Sequence, residues 1–384
     1  MHILTTRVDL DAIAHNTEAL KRQAGKARLV CVVKADAYNH GVERCVPVME
    51  ASGADAFGVA TLDEARAVRA LTTKPVIAWL WSPAEDIPEG IELVAPTREH
   101  LRVLVDAPFT PTIYLKIDTG MHRSGFDEAE LDEVFAAAAE AEACGQVRVK
   151  GLMSHLSAAD DPASDYTRVQ GERFRRAVAR GRQAGLRLEC NHLANSAATW
   201  QYPDLHFEQV RPGVSLYGLE PVAGADHGLR PAMTWAGEVL AVKSVAAGDP
   251  VSYGLTWRAP EDGYTALVPA GYADGVARAW QPYLRLTIGG RRYPVVGRVC
   301  MDQVVLWLGD NAAGVRPGDE AVLFGADGMS ATELAEAVGT IDYEVVCAPK
   351  GRTRREYLEH AGSAYSDPAA QSAVARDEAS TRNG

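Results

Sequence analysis

The chain has 384 residues with a formal net charge of -12, and is 47% hydrophobic and 23% charged. That length and composition suit an ordinary soluble protein of two domains, and an acidic balance without a Lys/Arg run excludes a nucleic-acid footprint. No apolar stretch approaches the roughly 20 residues of a membrane span, and Met1-His2-Ile3-Leu4-Thr5-Thr6-Arg7 has neither an apolar h-region nor a small-residue cleavage site, so a cytoplasmic protein acting on small molecules is expected.

From about residue 28 to 230, short apolar runs alternate with helical patterns. Candidate strands cover 29–33, 56–60, 76–80, 93–95, 112–117, 147–153, 186–190 and 208–210. Thr61-Leu62-Asp63-Glu64 opens one intervening helix as a capping box. This rhythm implies a parallel sheet. Eight strands over this length fit an α/β fold of the (β/α)8 TIM-barrel type. No Gly-x-Gly-x-x-Gly follows the first strand, which weakens a dinucleotide fold.

After Pro231 the pattern becomes β-rich. Strands are expected at 234–245, 264–269, 284–288, 293–299, 303–308 and 321–324, with one helix at 331–338. The expected domains are a barrel over 8–230 and a C-terminal β domain over 231–361. Residues 1–7 are candidates to pair with the latter. From Gly362 the chain is rich in Ala, Ser, Asp and Gly and is expected to be disordered over 362–384. Six scattered cysteines without a Cys-x-x-Cys pair fit reduced, mostly buried thiols, with no metal site and no disulfide framework.

The most informative stretch is Val32-Val33-Lys34-Ala35-Asp36-Ala37-Tyr38-Asn39-His40-Gly41. An apolar strand ends at one lysine, where barrel enzymes keep their chemistry. A lysine there can form a Schiff base with a carbonyl cofactor and carry a proton once released. Four further polar clusters fall just after expected barrel strands. They are Lys116 to Arg123, Ser154-His155-Leu156, His192 to Ser196, and Arg211-Pro212-Gly213-Val214. Each alone has a plain reading as a turn, a core histidine or a surface cation. Asn195-Ser196 opens a helical stretch, so it reads equally as an N-cap or as a phosphate site at a helix N-terminus.

In this order the clusters resemble the bacterial alanine racemases, over roughly residues 5–360. The resemblance implies a barrel plus a C-terminal β domain, a pyridoxal-phosphate cofactor, and a homodimer whose active sites are shared between subunits. It implies that L-alanine and D-alanine are interconverted by two bases, supplying D-alanine for peptidoglycan. A serine or broad-specificity racemase is the alternative. Lys34 would hold the cofactor, and Tyr38, Asn195, Ser196, Gly213, Val214 and Tyr343 would bind its phosphate. Arg211 would face the pyridine nitrogen, and His155 would link it to Tyr253, the second base, supplied across the dimer. Arg123 and the partner's Met301 would hold the substrate carboxylate, and Lys116 matches a position carbamylated in many members. Asp160, Tyr272, Arg278 and Arg298 match a substrate access corridor. Asn39 departs from a glycine common in the family, His122 from a position where glycine or asparagine is also common, and 348–355 from a more frequent Arg-Val-Pro-Arg ending.

Overall fold

A computed structural model describes residues 2–359. The expected tail at 362–384 and the last two residues of the expected second domain lie outside these. The chain opens with β1 (Leu4–Asp9), whose last residue caps the helix Leu10–Ala24 by accepting from Ala12 N at 3.0 Å. A parallel sheet follows from β2 (Arg28–Val32), β3 (Ala56–Val59), β4 (Val76–Ala78), β5 (Glu92–Ala95), β6 (Thr112–Lys116), β7 (Arg148–Met153) and β8 (Gln209–Val210). Its order is β7-β6-β5-β4-β3-β2-β8.

The sheet curls into a barrel. Cys190 N donates to Lys150 O at 2.9 Å and His192 N to Leu152 O at 3.0 Å, while Glu208 N donates to Asn191 O at 3.2 Å. The segment around 190–192 therefore fills the gap between β7 and β8. The strand expected at 186–190 is not formed, and only an isolated bridge, Met153↔His192, remains. Leu188 has φ +50°, a left-handed twist that no ladder accommodates.

The barrel strands read as continuous apolar runs because both of their faces are covered. Val30, Ala56, Ile77, Val94, Tyr114, Met153 and Cys190, one from nearly every stave, pack as an inner layer. Their neighbours Leu29, Cys31, Phe57, Leu93, Ile113 and Leu115 pack outward with the helices. The interior is thus a filled core, and the chemistry is left to the rim.

The second sheet continues with β9 (Met233–Glu238), β10 (Ala241–Val245), β11 (Pro250–Val251), β12 (Trp257–Arg258), β13 (Gly263–Val268), β14 (Arg285–Ile288), β15 (Arg291–Val296), β16 (Val304–Gly309), β17 (Glu320–Phe324) and β18 (Arg354–Leu358). Eight of these strands join β1 in a nine-stranded sheet of order β10-β13-β16-β15-β14-β17-β9-β1-β18, and β11 and β12 form a separate pair. The N-terminal strand thus does pair with this sheet, antiparallel to β9. The single strand expected over 234–245 is two. At the break Val239 N bonds Asp319 O and Leu240 N bonds Leu267 O, as the chain leaves β17 for β13. The helix Ala331–Val338 has the expected bounds. The helix Asp342–Cys347 and β18 were not anticipated. The six cysteines are unpaired; Cys31, Cys45 and Cys190 are buried, while Cys144 and Cys347 are exposed, so fewer are buried than expected.

Candidate active site

Five expected clusters meet on one rim. Lys34 follows β2, Lys116 ends β6, His155 follows β7, and Arg211 follows β8. With Arg123, Tyr38, Asn195, Ser196, Gly213, Val214 and Tyr343 they line one cavity of about 160 Å³. A roomier cavity of about 500 Å³, walled by Leu219, Val222, Met233 and Ala331, contains no lysine or arginine. Charge separates the two: four cations converge in the smaller one, within a chain of net charge -12.

The turn that carries Lys34 is left-handed. Ala35, Asp36, Ala37, Tyr38 and Asn39 have φ between 52° and 65°, and none is glycine. For Ala35, Ala37 and Tyr38 this costs about 1–2 kcal/mol each, so the surroundings must hold the turn. The Ala35 N–H donates to Glu64 Oε1 at 2.7 Å. Glu64 is also the far half of the Thr61 capping box, so the expected cap doubles as a support for the lysine turn. His40 Nδ1 reaches Tyr38 O at 2.8 Å. The Tyr38 ring stacks on Tyr217 at 4.8 Å and stands 6.0 Å from Tyr343. Lys34 Nζ lies 5.9 Å from the Tyr38 ring centre.

Electrostatics shift the rim groups together. Burial and then Arg123 lower the Lys34 pKa. Burial, then Arg123 and Arg211, bring Lys116 down to about 8. Lys116 donates to the Ser124 hydroxyl. His155 lies well below the ordinary imidazole value through burial and then Arg211, and is neutral at physiological pH. Burial lowers Arg211 to about 9, which leaves it protonated at neutrality. Its Nη2 donates to Ser154 O at 2.7 Å and stands 3.4 Å from His155 Nδ1. Its Nη1 is buried without a protein partner.

Asn195 accepts from Ala198 N at 3.0 Å and so caps the helix Ser196–Gln201. Ser196 Oγ accepts from Gly213 N at 2.8 Å. The capping reading of Asn195 is therefore realised, and both residues still face the cavity.

The remaining expected residues stand elsewhere in this chain. Tyr253 and Met301 are 70% and 52% exposed and do not line the cavity. They belong to a surface patch of the second domain. Ser252 Oγ donates to Arg298 O at 2.8 Å, a Cβ on Gly254 would meet the Arg298 guanidinium at 2.9 Å, and Tyr272 N donates to Cys300 O at 3.1 Å. Arg278 is exposed in the same domain. Asp160 is exposed beside Tyr343, whose hydroxyl pKa its charge helps to raise after burial. Three wall residues were missed: Val32, Trp79 and Met153. Trp79 directly follows β4, and that position on the rim was the available signal. A Cβ on Gly58 would meet its ring at 2.8 Å, so a glycine in β3 seats the indole.

Two family models cover the chain: "Alanine racemase, N-terminal domain" over residues 8–221 and "Alanine racemase, C-terminal domain" over 232–357. An alanine racemase of Corynebacterium efficiens is 57% identical over 93% of this chain and 99% of its own length. One from Mycobacterium tuberculosis is 45% identical over 92% of this chain and 95% of its own. The crystal structure of the alanine racemase from Corynebacterium glutamicum superposes with TM-score 0.85 at 48% identity, covering 93% of this chain and 100% of that one. With a racemase-type barrel, a β-rich second domain and matches along nearly its whole length, the chain belongs to the alanine racemase family.

Proposed function

We propose that this enzyme interconverts L-alanine and D-alanine, with pyridoxal phosphate carried on Lys34. The observation that carries the reading is the convergence of Lys34, Lys116, Arg123 and Arg211 in one cavity with the unpartnered Arg211 Nη1. Such a cavity fits a ligand that is anionic and offers a buried acceptor, which a phosphorylated pyridine aldehyde does. Relatives at 45–57% identity bear the alanine name, which favours alanine over serine or a broad set of amino acids.

When bound, pyridoxal phosphate supplies a conjugated ring that takes up the electron pair left when the Cα proton departs. Lys34 would attach it through Nζ. Tyr38, Asn195, Ser196, Gly213, Val214 and Tyr343 would surround its phosphate. Arg211, protonated and with Nη1 to spare, would donate to the ring nitrogen and leave it unprotonated. This makes a weaker electron sink than a carboxylate at that place would.

Racemisation needs a proton holder on each face of a planar carbon. Lys34 Nζ would serve one face, and its lowered pKa increases the neutral fraction that a base requires. Tyr253 of the partner subunit would serve the other, so that Lys34 takes the Cα proton of D-alanine and the partner's Tyr253 that of L-alanine. The exposure of Tyr253 on the second domain supports a homodimer in which each cavity is completed by the other copy. Arg123 and Met301 of the partner subunit would hold the substrate carboxylate. Neutral His155 would connect Arg211 with that tyrosine. Lys116, whose neutral amine is favoured by burial, would add to carbon dioxide with loss of a proton, and the resulting carbamate would orient Arg123. Asp160, Tyr272, Arg278 and Arg298 would line the approach. The division into the two units falls near residue 231. The reading places the enzyme in the cytoplasm, supplying D-alanine for peptidoglycan.

The test is a D-amino-acid-oxidase-coupled assay of the purified protein with added pyridoxal phosphate, offering L-alanine and L-serine side by side. Dominant alanine turnover that collapses in Tyr253→Phe supports the reading. Comparable serine turnover makes it a broader racemase, and no turnover of either overturns it.

A further inference from the structure

Two of the three places where the sequence departs from the family pattern, Asn39 and 348–355, touch each other. Asn39 Nδ2 donates to Pro349 O at 2.8 Å and to Val346 O at 3.2 Å. Its Oδ1 accepts from Arg355 Nη2 at 2.8 Å. The other arm of the same guanidinium, Nη1, donates to Asp36 Oδ2 at 2.7 Å, and Asp36 Oδ1 accepts from Val42 N at 2.8 Å. Arg355 thus grips both ends of the left-handed turn, and Asn39 commits its amide N–H groups and its oxygen to the C-terminal segment. Below them Gly41 has φ +90° and faces the Tyr357 hydroxyl so closely that a side chain there would collide.

Five consecutive left-handed residues without a glycine do not hold themselves. A glycine at 39 would satisfy the backbone angle alone. Asparagine tolerates that angle and also reaches out, so its side chain adds what glycine lacks. The partner comes from β18, which is hydrogen-bonded parallel to β1, the strand that leads into the first barrel helix.

We propose that Asn39 and Arg355 are positioning residues that clamp the Lys34 turn from the second domain. They act through the turn, fixing the side from which Lys34 and Tyr38 enter the cavity, and touch neither substrate nor cofactor. The proposal rests on the reading of Lys34 as the cofactor-bearing lysine.

The experiment compares holoenzymes of the wild type, Asn39→Gly, Arg355→Ala and the double variant. Arg355→Lys, which keeps the charge but cannot span Asp36 and Asn39 together, replaces Arg355→Ala should that variant not fold. The readouts are kcat and KM for alanine, the visible absorption band of the lysine-bound cofactor, and the rate of cofactor loss on dialysis. The clamp predicts that Asn39→Gly lowers kcat about tenfold with little change in KM, because misplacement costs rate. It also predicts faster cofactor loss, a shifted band, and a double variant no worse than the poorer single one. Wild-type kcat and dialysis rate in Asn39→Gly would overturn it, as would losses that multiply in the double variant. Borohydride trapping of the cofactor on the wild-type Lys34 peptide is read separately, and its failure would overturn the reading of Lys34 itself.

Discussion

Gly213 makes room for the Tyr38 hydroxyl: a side chain on Gly213 would collide with it. The glycine comes from the turn after β8 and the tyrosine from the turn after β2, so the contact couples neighbouring rim segments.

Gly213→Ala is therefore expected to push Tyr38 aside, at a cost of about 1–3 kcal/mol for overpacking. Cofactor affinity should fall by about tenfold or more. Removing the colliding oxygen should relieve the clash, so Gly213→Ala with Tyr38→Phe should melt higher than Gly213→Ala alone. Fluorescence titration with pyridoxal phosphate and thermal melts check both. A double variant no more stable than the single one would contradict the packing account.

Buried neutral histidine links stability to pH. His40 is fully buried, and burial lowers its pKa from 6.5 to about 4. Between these values the unfolded chain binds a proton that the folded chain does not. Stability therefore falls as pH drops below about 6.5. At pH 5 the His40 share is about 2 kcal/mol, from about 1.4 kcal/mol per pH unit. His40→Asn keeps a donor for the Tyr38 carbonyl but cannot titrate. Its melting temperature should drop less between pH 7 and pH 5 than that of the wild type. An equal drop in both would remove His40 from the account.

The lowered Lys116 pKa of about 8 sets a window for carbon dioxide. The neutral amine that reacts grows as pH rises through this value and vanishes below it. Labelled bicarbonate at pH 8 should give a carbamate carbon signal that is absent at pH 6 and absent in Lys116→Met. That variant should lose about tenfold in kcat, the worth of one charge-assisted hydrogen bond to Arg123. A carbamate signal that survives in Lys116→Met would place the modification elsewhere.

Sharing of sites between subunits predicts complementation. Lys34→Ala and Tyr253→Phe homodimers should each be nearly inactive. A heterodimer of the two contains one site with neither defect and should regain about half of wild-type activity. Differently tagged chains, purified together, test this. A heterodimer as inactive as its parents would mean that Lys34 and Tyr253 serve the same site within one chain.

Much of the rim was legible because an apolar strand that stops at a charged residue marks its own end. Lys34, Lys116 and Arg211 all stand at or just beyond such ends. The left-handed turn was not legible. Ala35, Ala37 and Tyr38 disfavour that conformation locally, and Arg355, which holds it together with Glu64, lies some 300 residues away in sequence. The expected strand at 186–190 was lost to the single left-handed residue Leu188, which an apolar pattern cannot reveal. Roles for Tyr253 and Met301 come from the resemblance alone, since nothing local to Val251-Ser252-Tyr253-Gly254 distinguishes a base from a turn residue.

The central claim is that Lys34 and Tyr253 hold protons on opposite faces of the same carbon. Proton exchange at Cα of L-alanine and D-alanine in deuterium oxide, followed by NMR with wild type, Lys34→Ala and Tyr253→Phe loaded with pyridoxal phosphate, tests it most directly. The account predicts that the wild type exchanges and racemises both enantiomers, that Tyr253→Phe exchanges D-alanine while losing exchange of L-alanine, and that Lys34→Ala loses exchange of D-alanine. Equal loss of exchange for the two enantiomers in Tyr253→Phe, or undiminished exchange of D-alanine in Lys34→Ala, would contradict it.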